Sequence, residues 1–360
     1  MGLMPLRYGD ADMQDDILDL AYQVSRVTEE KIDLIDGVMR QATLLAINAR
    51  IEAARAGAAG TAFGVVAQEM AALTNEIRRT SQELRSAIAS NIAELEDAGQ
   101  RLAVDFRGTR YGDLAHNAIE VIDRNLYERS CDVRWWATDS AVVETATHGD
   151  LERCAYATSR LATILRSYTV YLDLWIADRS GRVIATGRPD LYPKAVGLDV
   201  SQAPWFCNAM GTHSGDDFAV ADIQTAVALG GGAVATYSTA IRRDGAASGR
   251  ALGALGIFFD WSPQAAAVVE NLGLSPEEKV ACRVMLLDAR HRVIAASDRK
   301  GLLTETYPLK TGGRSRGYFR EADRLVAFAL TPGYETYQGL GWYGVVEWRM
   351  AQDRFQRRAA

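Results

Sequence analysis

The sequence predicts an α+β protein in which an antiparallel helical hairpin precedes a long helix and two tandem α+β subdomains. Three observations support this prediction. A long heptad repeat opens the chain, two close glycines interrupt it, and a strand–turn–strand pattern occurs twice in the second half. The expected segments are a hairpin over residues 14–107, a long helix with the first subdomain over 113–275, the second subdomain over 276–349, and a basic tail over 350–360.

The first arm of the hairpin carries a seam of residues spaced alternately three and four apart. They are Ile17, Leu20, Val24, Val27, Lys31, Leu34, Val38, Gln41, Leu45, Asn48 and Glu52. Such a heptad is typical of a coiled coil or a bundle helix. Gly57 and Gly60 favour a reversal, and a second arm follows through residues 63–102. Because so thin a hairpin cannot bury both faces alone, we expect a homodimeric four-helix bundle.

The second half of the chain repeats one pattern of a strand, an Asp-containing turn and a returning strand. The first copy covers residues 171–186 and the second covers 284–296. Further hairpins follow at 233–259 and 325–348. Antiparallel meanders in two related copies predict tandem subdomains with helices on one face. A helix interrupted near His148 is expected to precede them, over residues 113–167.

Composition excludes several classes of protein. The 360 residues are 48% hydrophobic and 24% charged, as in globular proteins, and a net charge of −6 argues against a general nucleic-acid binder. Glycines interrupt the best uncharged stretch, 223–241, so we expect no membrane insertion and a cytoplasmic location. Cysteines and histidines lack metal-ligand spacing, and no phosphate loop or catalytic triad order occurs, so we expect no metal, no cofactor and no enzyme.

The hairpin reversal carries the most specific motif. Residues 41–70 read QATLLAINARIEAARAGAAGTAFGVVAQEM, which resembles the hairpin tip of methyl-accepting chemotaxis receptors. The resemblance implies that the tip binds a histidine kinase and its coupling protein. Small alanines there let helices approach closely, while Asn48, Glu52 and Arg55 supply directional polar contacts and are the candidate partner-binding residues.

Departures from the family pattern support a second interpretation. Arg40 stands where the family usually has an aromatic residue, Arg50 replaces a small residue, and the arms are short. On this alternative the hairpin is a dimerisation and docking module that regulates a non-chemotaxis partner, such as a second-messenger enzyme. The best candidate for adaptation methylation is Gln82-Glu83, although Arg78 and Arg79 precede it where small residues should stand.

Residues 113–349 look like a double Cache domain, the tandem PAS-like sensor of bacterial receptors. The resemblance rests on the order of several short segments, among them 174–181, 203–206, 235–241 and 255–260. It implies that the first subdomain binds a small molecule. The implied site has an aromatic pair, Trp205 and Phe206, with Tyr237 on a strand facing it. Asp260 matches the acidic position that meets a ligand's ammonium group.

The site residues leave the ligand class open among an amine, an amino acid, a purine or a similar neutral ring. Amino-acid-binding members place an Arg two residues before the Trp, where this chain has Ala203. Arg188 is the candidate substitute, and Asp222 is either a second acid in the pocket or a turn residue. The alternative is that the aromatic pair belongs to the core and Asp260 is a strand-end turn residue.

Overall fold

The structure is a computed structural model that describes residues 10–321 and 323–349. The chain divides into two compact units between Arg107 and Gly108. The first holds the helical hairpin and the second holds two β-sheets with their helices. The basic tail predicted over 350–360 lies outside the described residues.

Two helices and a tight reversal form the hairpin. Helix α1 spans Asp10–Arg55, a 3₁₀ turn spans Gly57–Gly60, and helix α2 begins at Thr61. Gly57 adopts a φ of +57°, a conformation that glycine takes without a steric penalty. A Cβ on Gly60 would overlap the carbonyl oxygen of Ala53. These two requirements explain why the reversal lies where the sequence predicts it.

The hairpin arms carry two distinct stripes. Side chains buried within this unit are Ile32, Ala46, Ala67, Thr74 and Ser81, most of them small. Cross-arm polar contacts border them, among them Arg85 Nη2 to Asp33 Oδ1 at 2.9 Å. The large apolar residues of the predicted seam are each at least half exposed: Leu20, Val24, Val27, Leu34, Val38 and Leu45. The heptad seam therefore faces outward and the small residues close the hairpin.

Helix α2 is a single helix of 76 residues, Thr61–Trp136. The glycines at 108 and 112 do not interrupt it. The helix expected over 113–167 is instead divided at two places, because α3 spans Ser140–His148 and α4 spans Leu151–Ser167. Asp139 caps α3 by accepting the N–H of Ala141 at 2.9 Å, and Asp150 caps α4 in the same way. The prediction of one break near His148 is thus corrected to two.

Two five-stranded antiparallel sheets follow. The first contains β1 (Tyr171–Asp178), β2 (Val183–Thr186), β3 (Ala219–Ala226), β4 (Gly232–Arg242) and β5 (Ala251–Asp260), in the order β2-β1-β5-β4-β3. The second contains β6 (Cys282–Leu287), β7 (Val293–Ala296), β8 (Arg316–Arg320), β9 (Arg324–Leu330) and β10 (Tyr343–Arg349), in the order β7-β6-β10-β9-β8. Short helices α5 (Pro204–Met210), α6 (Trp261–Glu270) and α7 (Pro276–Ala281) complete the unit.

The two sheets confirm the predicted internal repeat. Their strand orders are the same when each is counted from its own first strand. In both copies the Asp at the end of the opening strand, Asp178 or Asp288, accepts backbone N–H bonds from the second and fourth residues after it. The shared turn explains the recurrence of the strand–Asp–strand pattern in the sequence.

Within the second unit, α2 packs against one face of each sheet. At the second sheet a Cβ on Gly344 would overlap the carbonyl oxygen of Ala115, so helix and strand touch backbone to backbone. At the first sheet the Arg129 guanidinium lies 5.1 Å from the Tyr171 ring centroid, and the Tyr171 hydroxyl donates to Asp132 at 2.5 Å. The opposite face of each sheet carries its own cluster of buried apolar side chains.

Candidate functional site

An aromatic cluster covers the face of the first sheet that is opposite α2. Trp205 and Phe206 of α5 pack there with Trp175 of β1 and Phe258 of β5, and all four are buried. Ring centroids lie 4.4 Å apart for Trp175–Phe258 and 5.8 Å apart for Trp205–Phe258. We call this the aromatic site. The structure brings the predicted aromatic pair onto it.

A close approach and a hydrogen bond hold α5 against the sheet. The Ser238 hydroxyl donates to the Trp205 carbonyl oxygen at 2.8 Å. The Trp205 indole lies over Gly256, where a Cβ would come within 2.9 Å of ring atom Cζ3. Since Cβ atoms do not approach other heavy atoms so closely, the indole position depends on glycine at 256.

Tyr237 lies on the other face of the sheet, which corrects the expectation that it faces the pocket. Its hydroxyl is 3.0 Å from that of Tyr337, and its ring stacks on Phe218 with centroids 6.0 Å apart. Successive side chains of a strand point to opposite faces. Because Ser238 contacts Trp205 on the aromatic face, its neighbour Tyr237 points away from it.

Acidic and basic groups gather at one end of the aromatic site. Asp260 ends β5 and is partly buried; burial raises its pKa, against the effect of the Ser262 N–H. Tyr192 packs on the edge of the cluster. Burial raises the pKa of Tyr192, the nearby carboxylates of Asp173 and Asp260 add to that, and Arg188 acts against it. This end of the site is therefore polar and partly desolvated.

Asp173 is a feature that the sequence analysis missed. Its fully buried carboxylate accepts N–H bonds from the Trp175 indole at 2.9 Å and from the backbone of residues 174, 187 and 188 at 2.8–3.0 Å. Burial raises its pKa to about 6 although these bonds act to lower it. The signal for it in the sequence was an acid inside an otherwise apolar strand. Asp173 fixes the Trp175 indole and the turn that carries Arg188.

The remaining predicted residues lie apart from the aromatic rings or are otherwise engaged. The Arg188 guanidinium donates to the carbonyl oxygens of Leu172 and Leu165 at 3.1 and 3.2 Å, so backbone already occupies two of its donors. Asp222 is exposed, in the bulge of edge strand β3. Asp222 has no hydrogen bond to the aromatic site among the described residues.

The hairpin tip presents a second candidate surface, in the first unit. Asn48, Glu52 and Arg55 are exposed on one face of α1, and Glu52 pairs with Arg55 at 3.4 Å while both side chains remain 74% exposed. Large apolar side chains around the reversal, outside the heptad seam, are also exposed: Leu44, Ile47, Ile51, Phe63, Val65 and Val66. We call these apolar residues the tip patch. Exposed apolar patches of this kind mark protein interaction sites.

A cleft of about 450 Å³ lies elsewhere in the second unit, lined by residues of α6, α7, β6 and the segment after β7, together with Arg349. None of the predicted site residues lines it. In residues 10–321 and 323–349, no group of three His, Cys, Asp or Glu side chains could hold a metal ion. Among the described residues, no helix combines the length and apolar character that a membrane span requires.

Comparison with known sequences assigns the first part of the chain. Residues 11–117 match the family model of the methyl-accepting chemotaxis protein signalling domain. Methyl-accepting chemotaxis protein McpS of Pseudomonas putida is 37% identical over 101 residues, which are 28% of this chain and 15% of that protein. Transducer protein Htr18 of Halobacterium salinarum is 41% identical over 81 residues, 21% of this chain and 10% of its own length. The matched segment is thus a small fraction of these relatives.

Solved structures share the fold of the remainder. The sensor domain of the V. cholerae histidine kinase DctB superposes with a TM-score of 0.51 and 11% identity, covering 68% of this chain and 97% of that domain. The sensory domain of the Campylobacter jejuni chemoreceptor Tlp3 gives a TM-score of 0.50 and 16% identity, over 67% and 92%. At such identities the likeness concerns the fold.

The chain thus joins a segment similar to a chemotaxis signalling domain to a unit that shares the fold of two solved sensor domains. Residues 11–117 are similar in sequence to the signalling domain of methyl-accepting chemotaxis proteins. The two sheets and the helices around them have the fold of these two solved domains, and they follow the matched segment in the chain.

Proposed function

We propose that the chain is a ligand-controlled transducer that acts in the cytoplasm as a homodimer. A small molecule binds at the aromatic site and changes the packing of α2 on the first sheet. The hairpin tip then alters the activity of a chemotaxis-type histidine kinase through its coupling protein.

The continuity of α2 is the observation that carries this proposal. The same helix contacts Tyr171 of the first sheet through Arg129 and Asp132, and it forms the second arm of the hairpin. The helix runs without a break from Thr61 to Trp136. Helix displacements of about 1–2 Å are a common means of transmitting such signals.

The polar end of the aromatic site favours a cationic ligand. Asp260 has no ion pair among the described residues, and leaving a half-buried carboxylate unpaired is costly. Aromatic faces nearby would add cation–π attraction of about 0.5–2 kcal/mol. Since Arg188 is engaged by two carbonyls and residue 203 is alanine, an amine without a carboxylate fits better than an α-amino acid.

The exposed stripes of the hairpin support the proposed protein partners. The outward seam has the heptad spacing by which a second copy would pack. The tip patch would then bind the kinase and coupling protein, and Asn48, Glu52 and Arg55 lie beside it. Arg40 and Arg50, both exposed, favour the second candidate function: regulation of a non-chemotaxis enzyme by the same tip.

The ligand half of the proposal is tested by thermal shift against amines, amino acids and purines. We expect a hit among the amines that is lost in Asp260→Asn. Asp222→Asn is the matched control, because Asp222 is exposed on the same sheet away from the rings. A hit that Asp260→Asn leaves unchanged would place the ligand elsewhere.

The partner half is tested by reconstituting the full chain with a chemotaxis kinase and coupling protein and measuring kinase autophosphorylation. We expect the chain to change this rate and Glu52→Ala to abolish the change. Glu94→Ala, an exposed Glu on α2 away from the tip, should behave as wild type. No effect of the wild-type chain would exclude the kinase as partner and favour the second candidate.

A further inference from the structure

Two hydroxyls on the aromatic face of the first sheet are buried without a hydrogen-bond partner. They are the Oγ1 atoms of Thr186 and Thr236, and both residues are fully buried. The third hydroxyl on this face, Ser238, is satisfied by the Trp205 carbonyl. Because proteins seldom leave a buried polar group unpaired, each such group needs a physical reason.

Strand register places Thr236 next to Asp260, which we propose binds the cationic group of the ligand. Val234 is the cross-strand partner of Asp260, and Thr236 is the partner of Phe258. Val234 and Phe258 both belong to the aromatic site, so alternation along β4 and β5 puts Thr236 and Asp260 on that same face. They are diagonal neighbours, a relation that separates residues by about 7–8 Å.

Thr186 is chemically the same but lies elsewhere on the face. It is the partner of Trp175 on β2, and the strand order β2-β1-β5-β4 places three strand intervals between it and Thr236. At about 4.8 Å per interval, that distance is roughly 14 Å. A small ligand anchored at Asp260 reaches Thr236 and not Thr186.

We propose that the Thr236 hydroxyl is the second polar contact of the ligand and selects amines that carry a hydroxyl or carbonyl two or three carbons from the nitrogen. This inference rests on the proposed ligand site. Ammonium and hydroxyl groups each sit about 2.8 Å from their partners, so a short spacer spans the diagonal between Asp260 and Thr236. The ligand hydroxyl supplies the hydrogen bond that Thr236 lacks.

The test is isothermal titration of the full chain with 3-aminopropan-1-ol and with butylamine, its analogue with methyl in place of hydroxyl. We expect wild type to bind the amino alcohol about three- to tenfold more tightly, as one neutral hydrogen bond would give. Thr236→Val should bind both equally, while Thr236→Ser and the control Thr186→Val should keep the preference.

The outcomes separate this inference from the proposed function. A preference that survives in Thr236→Val, or no preference in wild type, would overturn the role of Thr236. If neither probe binds wild type, the inference is likewise overturned, while the wider ligand panel decides the proposed site. Loss of both amines in Asp260→Asn supports that site independently. A melting temperature of Thr236→Val at or above wild type shows that the variant folds.

Discussion

Replacing Asp123 by Asn should stabilise the protein, although it removes a fully buried charged group from the second unit. Asp123 lies on α2 and is fully buried. Its Oδ2 accepts the N–H of Gly333 at 2.8 Å, while Oδ1 has no hydrogen-bond partner among the described residues. Burial raises the pKa of Asp123 to about 6, with a further contribution from Glu120.

The pKa gives both the sign and the size of the effect. A carboxyl whose pKa is higher in the folded than in the unfolded state is destabilising once ionised. The pKa of Asp123 rises from the ordinary value of 3.8 to about 6 on folding. This shift lowers the free energy of unfolding by about 3 kcal/mol above pH 7, and the loss disappears as pH falls from about 6 to about 4. Asn keeps an acceptor for the Gly333 N–H and carries no charge. We therefore expect Asp123→Asn to raise the free energy of unfolding by about 2–3 kcal/mol at pH 8.

Urea unfolding followed by tryptophan fluorescence at pH 8 and at pH 4.5 checks this expectation. The gain of the variant over wild type should be largest at pH 8 and should shrink at pH 4.5. Asp173, whose pKa is also about 6, is present in both proteins and cancels in the difference. Lower stability of Asp123→Asn at pH 8 would show that the ionised carboxylate is paired, and a gain independent of pH would show that ionisation is not its source. Either result would refute the reasoning.

Three further changes test the packing. Gly256→Ala should displace the Trp205 indole and lower the free energy of unfolding by about 1–3 kcal/mol. We expect a lower melting temperature and altered tryptophan fluorescence, and an unchanged spectrum would contradict the indole position. Leu34→Lys should convert the proposed dimer into a monomer, as measured by sedimentation, because it places a charge in the outward seam. Helicity should change little, because Leu34 is 64% exposed within the single chain. A persistent dimer would place the interface elsewhere. Gly60→Ala should lower the helix content of the hairpin in circular dichroism, since its Cβ meets the Ala53 carbonyl, and native helicity would contradict that overlap.

The elements predicted correctly from the sequence are those that local chemistry determines. The glycine reversal after α1 depends on backbone conformation and on one close approach at Gly60. The internal repeat depends on an Asp that binds backbone N–H groups two and four residues later. Neither feature depends on distant parts of the chain, so both can be predicted from the sequence.

The errors arose where tertiary context decides. A one-residue difference in position along β4 separates Tyr237, on the α2 side, from Thr236 on the aromatic side. The family resemblance identifies Tyr237 as the aromatic residue on the strand, but it does not determine which face of the sheet the side chain lies on. The break after Trp136 was missed because apolar periodicity continues on both sides of it, although Asp139 is a recognisable N-cap.

The way α2 packs explains how one helix can serve both sheets. At Gly344 its contact with the second sheet is backbone against backbone, and an ion pair between Asp113 and Arg316 of β8 lies on the same side. Its contact with the first sheet is polar and made by long or hydroxylated side chains, with Arg129 over Tyr171 and Asp132 accepting the phenol hydrogen bond. Side-chain contacts of that kind can exchange partners, whereas close-packed backbone contacts cannot shift without steric cost. The backbone contact at Gly344 therefore fixes one point of α2, whereas the first sheet, which carries the aromatic site, meets the helix through side-chain contacts that a ligand could change.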